Sequence, residues 1–366
     1  MRVVLAPDSF KGSLGAAGAA RALAEGWRTV RPQDELLLCP MADGGEGTLA
    51  AVTTAHPDST RHLVPGCTGP DGRPVNGRYA LLPDGTAVVE LAVASGLPLL
   101  ERPAPLTAGT RGTGETIAAA LDRHRPRRLL LALGGSAGTD GGAGLLSALG
   151  LRLTDADGHQ PPGGGAALGA VRHADRAALR PPPPDGVVLL TDVTNPLLGP
   201  DGAAAVYGPQ KGATPADIRI LEAGLARLAE VLGGEPQLPG SGAAGGTAYG
   251  LHAGWGARIA PGAAAVADLL GLDRALAGAD LVITGEGRYD LTSLRGKAVG
   301  EVARRATAAR VPAVVIAGAV QVGTPRAGLH ALRSLTALAG TPAEARRHPT
   351  RWLRTAAART ARTFPH

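Results

Sequence analysis

The chain has 366 residues, 44% of them hydrophobic, a formal charge of +6, two cysteines and 2% aromatic residues. That length can bury a large core and suggests two domains; no apolar run reaches the roughly 18 residues of a membrane span, and scattered basic residues without aromatic stacking platforms argue against nucleic acid. Cys39 and Cys67 form no disulfide framework and have no metal-ligand neighbours, so a reducing cytoplasm is the expected home.

The apolar run 3–6 stops at Pro7-Asp8, too short for a secretory segment, and predicts a buried first strand. A glycine-rich loop, a helix over about 16–30, a strand over 35–39 and a helix over 47–55 follow. This alternation is that of a parallel sheet covered by helices. Between 61 and 96, short alternating runs broken at Gly69-Pro70-Asp71-Gly72 and Pro83-Asp84-Gly85 predict an antiparallel meander. A βα texture returns with a helix over 114–124, a strand over 128–133 and a helix over 141–149. Residues 160–180 and the four prolines 181–184 read as loop and connector. A buried strand over 187–191 comes next, then a helix capped by Thr214-Pro215. Strands over 281–284 and 313–317 flank a helix over 297–309, and the basic stretch 346–362 reads as a solvated helical face. Both ends share one texture. The expected fold is therefore α/β with two α/β domains: a discontinuous Rossmann-like domain (1–62 plus 280–366) with a mixed α/β domain (63–279) inserted.

Five segments repeat one grammar, an apolar strand followed by glycines mixed with acids, hydroxyls or lysine. In open α/β sheets ligands bind outside the carboxyl ends of strands, where glycine lets backbone N–H groups approach an anion. The first segment, Ala6 to Ser13, offers Asp8, Ser9 and Lys11 on one turn. The second, Pro40 to Thr48, sets Asp43 and Glu46 around a double glycine, which suits metal or hydroxyl contacts or an ordinary helix cap. In the third, Gly134, Gly135, Ser136 and Asp140 read as a phosphate nest, with a second anion-binding turn upstream at Thr110 to Glu115. The fourth carries Asp192 out of a buried strand, placed to accept a proton or hold a metal, with Asn195 near it and Lys211 beyond. The fifth contains Glu286, Arg288 and Asp290.

Of 37 basic residues only Lys11, Lys211 and Lys297 are lysine. A chain that has drifted to arginine elsewhere keeps a compact, rotatable ammonium where it is needed. Other chemistries lack their parts. There is no P-loop and no protein-kinase catalytic loop. The Gly-x-Gly-x-x-Gly at Gly240 follows no strand, the histidines show no zinc spacing, and Ser136 lacks a nucleophile elbow. Phosphoryl transfer, which asks for phosphate-cradling backbone, cations, acids and a base, fits the inventory best.

In order along the chain, Ala6-Pro-Asp-Ser-Phe-Lys-Gly-Ser13, Met41-Ala-Asp-Gly-Gly-Glu-Gly-Thr48, Gly134-Gly-Ser-Ala137 with Asp140-Gly-Gly-Ala-Gly144, and Asp192-Val-Thr-Asn-Pro-Leu197 resemble the bacterial glycerate kinase family, of the glycerate 2-kinase type. Gly208-Pro-Gln-Lys-Gly-Ala213, Pro239-Gly-Ser-Gly-Ala-Ala-Gly-Gly246 and Thr284-Gly-Glu-Gly-Arg288 extend the resemblance over nearly the whole chain. It implies phosphorylation of D-glycerate by ATP with Mg2+, 2-phosphoglycerate being the favoured product, in a cleft between two α/β domains. Gly138-Thr139 and Thr292-Ser293 depart from the family pattern and bear on individual hydrogen bonds.

On this footing Asp192, Lys11 and Asp43 are the expected catalytic residues, Asp192 as base or metal-linked acid with Asp43 its rival. Ser9, Glu46, Asn195, Lys211, Arg288 and Asp290 are expected to bind substrate. Gly134, Gly135, Ser136 and Asp140 are expected to hold nucleotide, and Asp192 and Glu286 metal. No nucleic acid or membrane partner is expected, and a homodimer is left open. The competing functions are a kinase for another small hydroxy acid, such as tartronate or a longer aldonate, and a non-catalytic phosphometabolite-binding regulator.

Overall fold

The computed structural model describes residues 1–291, 293, 297–321 and 329–365. From the N-terminus, β1 (Arg2–Pro7), α1 (Ala16–Arg28), β2 (Glu35–Leu38) and α2 (Thr48–Ala55) alternate as the apolar pattern predicts. The meander follows as β3 (Thr60–Thr68), β4 (Pro74–Leu81) and β5 (Thr86–Glu90), each antiparallel to the next. Then come α3 (Leu91–Ser95), α4 (Arg111–His124), β6 (Arg128–Ala132) and α5 (Ala143–Ala148). The stretch read as connector holds β8 (His173–Asp175), which pairs antiparallel with β7 (Arg152–Thr154) just ahead of that stretch; both are too short to leave a periodic signal. Next are β9 (Val187–Leu190), α6 (Ala203–Tyr207), α7 (Pro215–Leu232), α8 (Thr247–Trp255) and β10 (Arg258–Ala260). The chain continues with α9 (Gly262–Leu269), α10 (Leu272–Leu276), β11 (Leu281–Tyr289), α11 (Ala298–Ala308) and β12 (Ala313–Val320). It closes with β13 (Leu329–Ser334), α12 (Leu335–Ala339), α13 (Pro342–Arg347) and α14 (Pro349–Thr363).

Two compact units result. The first comprises Met1–Asp43, Ala50–Pro57 and Pro261–His366, the second Gly44–Leu49 and Asp58–Ala260. In the first, the described strands form a parallel sheet ordered β13-β12-β11-β1-β2. Val3, Leu5, Ile283, Val314 and Ile316 bury one face of it under Leu23 and Trp27 of α1 and Leu353 and Ala357 of α14. Gly26 lets the two helices touch, since a Cβ there would lie 2.2 Å from the Arg354 carbonyl oxygen. Arg351, Arg354, Arg359 and Arg362 occupy the exposed side of α14, so the basic stretch is a solvated helical face.

The second unit holds a mixed sheet ordered β10-β9-β6-β5-β4-β3, parallel from β10 to β5 and antiparallel beyond. Its core gathers Val89, Leu129, Leu131 and Leu189 from the strands with Ile117, Leu146 and Leu225 from the helices. Helix α7 starts at a capping box: Thr214 Oγ1 accepts from Asp217 N at 3.2 Å, and the Asp217 carboxylate accepts from Thr214 N at 2.8 Å.

These units divide the chain differently from the sequence expectation at three places, the first being residues 58–62, which enter the second unit with β3 as it pairs with β4. Residues 261–279 pack in the first unit, because the buried guanidinium of Arg305 on α11 reaches Asp268 at 2.7 Å and Asp273 at 2.9 Å. The short segment Gly44–Leu49 packs in the second, where the buried carboxylate of Glu90 accepts from Gly47 N and Leu49 N, both at 3.1 Å. Such contacts join residues remote in sequence and leave no local pattern. No helix among the described residues is long and apolar enough to cross a membrane.

Candidate functional site

The first unit changes winding direction at its centre. From β1 the chain goes to β2 on one side, and from β11 to β12 and β13 on the other, so the switch point lies between β1 and β11. Pairing continues past both strands: Asp8 N donates to the Gly285 carbonyl at 2.8 Å, and Met41 N to the Pro7 carbonyl at 2.8 Å. Asp8, Asp43 and Glu286 are thereby delivered to one edge of the sheet. They line a cavity of about 360 Å³ with Ser9, Lys11, Arg288, Asp290 and Lys297.

Its electrostatics are those of crowded acids. Asp8 is buried, and burial first, then the neighbouring Asp43 carboxylate, push its carboxyl up to about 7. Ser9 N, donating to Asp8 Oδ1 at 2.6 Å, and the Lys11 ammonium act in the opposite direction. Glu286 is also held above the usual carboxylate range, mainly by burial, although the Ser293 hydroxyl and Lys297 counter it. Its Oε1 is buried and has no hydrogen-bond partner among the described residues. Lys11 reaches out from the turn with its side chain 80% exposed and its Nζ 3.8 Å from Asp43 Oδ2. Arg288 and Arg346 line the same cavity, and neither makes an ion pair among the described residues.

The glycine-rich loops of the second unit are built otherwise. Lys211 is almost wholly buried. Its Nζ donates to Ser136 Oγ at 3.1 Å, to the Gly138 carbonyl and, at 3.5 Å, to Thr139 Oγ1. Burial lowers the Lys211 pKa to about 8, with Asp140 opposing the shift. Asp140, expected among the nucleotide contacts, is fully buried. One of its oxygens accepts from Thr110 N at 2.9 Å, Thr110 Oγ1 at 2.8 Å and Gly144 N at 3.2 Å, the other from Gly142 N at 3.1 Å. With four bonds received from its own unit, that carboxylate shapes the loop instead of presenting itself to a ligand. Asn195, expected to touch substrate, donates to the Asp201 carbonyl at 2.8 Å and accepts from the Tyr207 hydroxyl at 2.7 Å, so both ends of its amide are engaged.

Two glycines explain why these loops interlock. A Cβ on Gly134 would stand 2.5 Å from Gly45 Cα, and one on Gly245, at φ +65°, would stand 2.2 Å from the Gly138 carbonyl oxygen. The glycine motif at Gly240–Gly246 is thus a packing device: Gly242 N donates to the Asn195 carbonyl at 2.9 Å, and Gly141 N to the Gly245 carbonyl at 3.1 Å.

Of the expected site residues, Ser9, Lys11, Asp43, Glu286, Arg288 and Asp290 come together in the first unit. Glu46, Gly134, Gly135, Ser136, Asp140, Asp192, Asn195 and Lys211 belong to the second. Asp192 is half-buried just past the end of β9, and Glu46 is exposed. Gly135, at φ +79°, accepts from Leu97 N at 2.9 Å. Thr292, one of the residues departing from the family pattern, lies outside the described residues, as do Leu294, Arg295 and Gly296 of the fifth segment. Sequence reasoning passed over Asp8, Lys297 and Arg346 as site residues. Asp8 was visible as a strand-end acid and Lys297 as a scarce lysine, whereas Arg346 sits in a basic run whose pattern gave no hint of a cavity.

Comparison with known proteins agrees along the whole chain. Residues 3–365 match the model of the glycerate kinase family. The chain is 41% identical to glycerate 2-kinase of Escherichia coli K12 over 329 residues, covering 87% of this chain and 86% of that one. It is 40% identical to a glycerate kinase of Bacillus subtilis 168 over 334 residues, 87% and 85% of the two chains. A crystal structure of a candidate glycerate kinase 2 from Salmonella typhimurium LT2 superimposes with a TM-score of 0.84 at 38% identity, covering 99% and 98%.

Proposed function

This chain belongs to the glycerate kinase family, and from that premise we propose that it transfers the γ-phosphoryl group of ATP to D-glycerate, with 2-phosphoglycerate the favoured product. The observation that carries the reading is the first unit's cavity, where Asp8, Asp43 and Glu286 crowd beside Lys11 and Arg288 at the switch point of a parallel sheet. Phosphoryl transfer asks a protein mainly for positioning and for cations around developing charge, and these residues supply both.

Mg2+ is part of the proposal. It is held by one or two carboxylates together with phosphate oxygens and water. Two buried acids whose carboxyls are held up mainly by burial, with Glu286 Oε1 left unpartnered among the described residues, fit such a cation. Asp8 and Glu286 would hold it, and the bound ion would supply positive charge to the phosphate oxygens. Lys11 and Arg288 add mobile positive charge at the same place. Asp192 is the proposed acceptor of the glycerate hydroxyl proton, with Asp43 its rival. Lys211 keeps Ser136 and the Gly138 carbonyl in position from beneath. In-line transfer needs the donor phosphate and the acceptor hydroxyl in contact. Cytoplasmic residence belongs to the same reading and accords with two free, buried cysteines.

A coupled ADP-release assay across D-glycerate, tartronate and longer aldonates, with NMR of the product, tests the proposal. The expected outcome is preference for D-glycerate and phosphate on C2. A different preferred acid would reassign the substrate, and no ADP release with any of them would sink the kinase reading.

A further inference from the structure

The first unit's cavity is longer than glycerate needs. It runs from Asp43 beyond β2, past Asp8 of β1 and Glu286 of β11, to Gly318 and Ala319 of β12. That is three inter-strand spacings, about 14 Å. A three-carbon acid, with two C–C bonds of about 1.5 Å each, covers no more than about one of them. The two ends also differ in chemistry. The end at β2, β1 and β11 is ionic. At the end beyond β12, the walls are Ala319, Leu335, Thr336, Pro342 and Ala345, with Arg346 beside them. Thr336 Oγ1 donates to the Gly318 carbonyl at 2.8 Å, which ties α12 to the strand and leaves that hydroxyl engaged. Small and apolar walls have nothing to offer a hydroxy acid, whose every carbon bears oxygen.

We infer that this cavity holds the adenine nucleotide, with its base in the apolar slot between β12, α12 and α13 and its phosphates directed toward Lys11 and Arg288. The inference rests on the kinase reading above and adds to it a location for the donor. A flat heteroaromatic ring fits a slot walled by alanine, leucine and proline. The guanidinium of Arg346, which has no ion-pair partner among the described residues, is suited to lie over its face. The volume is right as well: about 360 Å³ falls in the range of pockets that enclose drug-sized ligands, roughly 300–1,000 Å³. The glycine-rich loops of the second unit are the competing location. The cavity found there, beside Asp140 and Arg111, measures about 180 Å³, and both side chains are already engaged, Arg111 with Glu115 at 3.0 Å.

The test separates this location from the activity itself. Binding of a fluorescent N-methylanthraniloyl ADP is measured for the wild type, Arg346→Ala and Ala319→Leu, alongside the KM for ATP and for D-glycerate. Both substitutions are expected to weaken nucleotide binding tenfold or more and leave the KM for D-glycerate within about twofold. Photolabelling of the unaltered protein with 8-azido-ADP gives a readout independent of folding, with label expected in residues 335–349. Label in residues 134–142, or unchanged nucleotide binding in both folded variants, would overturn the inference and leave the kinase reading standing. Nucleotide bound and labelled as expected, but no ADP release with any hydroxy acid, would do the reverse.

Discussion

The turn after β1 and the loop after β6 are written in the same residues, glycine with aspartate, serine and lysine nearby, yet they fold to opposite ends. Around Asp8 the polar groups face a cavity: Lys11 is exposed, Glu286 Oε1 lacks a partner among the described residues, and burial together with the neighbouring acids raises Asp8. Around Asp140 they face each other, with four hydrogen bonds on one carboxylate and a buried lysine pinned to a serine and a carbonyl. Mutual satisfaction stabilises a fold, because an unmade bond to a buried polar group costs about 1–3 kcal/mol. Leaving charges unsatisfied does the opposite, and is what a site awaiting an ionic ligand requires. The difference teaches that a glycine-rich strand end is a scaffold, and its partners decide whether it binds a ligand or binds itself.

Substitutions at four positions sharpen or break that contrast. The largest effect is expected for Asp192→Asn, a fall in kcat of about 10²–10⁴-fold if this carboxylate takes the proton; near-normal turnover would pass the role to Asp43. Lys11→Met should lower kcat/KM by about 10²-fold with an unchanged melting temperature, since the side chain is 80% exposed. Lys11→Arg, which keeps the charge, should also lose activity, and unchanged kinetics would end the argument from lysine scarcity. In the second unit the pattern should invert. Gly245→Ala forces a Cβ against the Gly138 carbonyl and should cost about 1–3 kcal/mol of stability in urea unfolding, while the activity per folded molecule stays nearer to wild type than in Lys11→Met.

The fourth effect is one of pH. The Lys211 pKa falls from its ordinary 10.5 to about 8 in the fold. Between those values the unfolded chain binds more protons than the folded one, so stability rises with pH. The gain is absent below about 8 and complete above about 10.5. Urea midpoints should therefore climb in the wild type relative to Lys211→Met from pH 8 to 10. Parallel curves would show that the ammonium is not desolvated as the structure has it.

Much of this was legible in advance. Alternating apolar runs announced β1, β2, β6 and β9, the turn residues announced the meander, and Thr214-Pro215 announced the start of α7. The strand-end acids Asp43, Asp192 and Glu286 stood out because each follows an apolar run in one of the five glycine-rich segments. Less visible were α12 and α13, short helices in a polar, proline-broken stretch, and so the role of Arg346 was hidden with them. The seat of Gly44–Leu49 was hidden too, since Glu90, which holds it, lies at the end of a strand in the meander.

By itself the sequence determined the α/β class, strands β1–β6, β9, β11 and β12 with their glycine-rich loops, and the kinship with glycerate kinases, because periodicity, turn chemistry and motif order are local properties of the chain. Tertiary structure alone decided which polar loops open on a cavity and which close on one another. Burial and hydrogen-bond partners come from residues distant in sequence: Asp8 is raised by burial and then by Asp43, and Lys211 is buried among residues 136–139 and 245. The same aspartate-and-glycine text therefore opens on a cavity in one unit and closes on itself in the other.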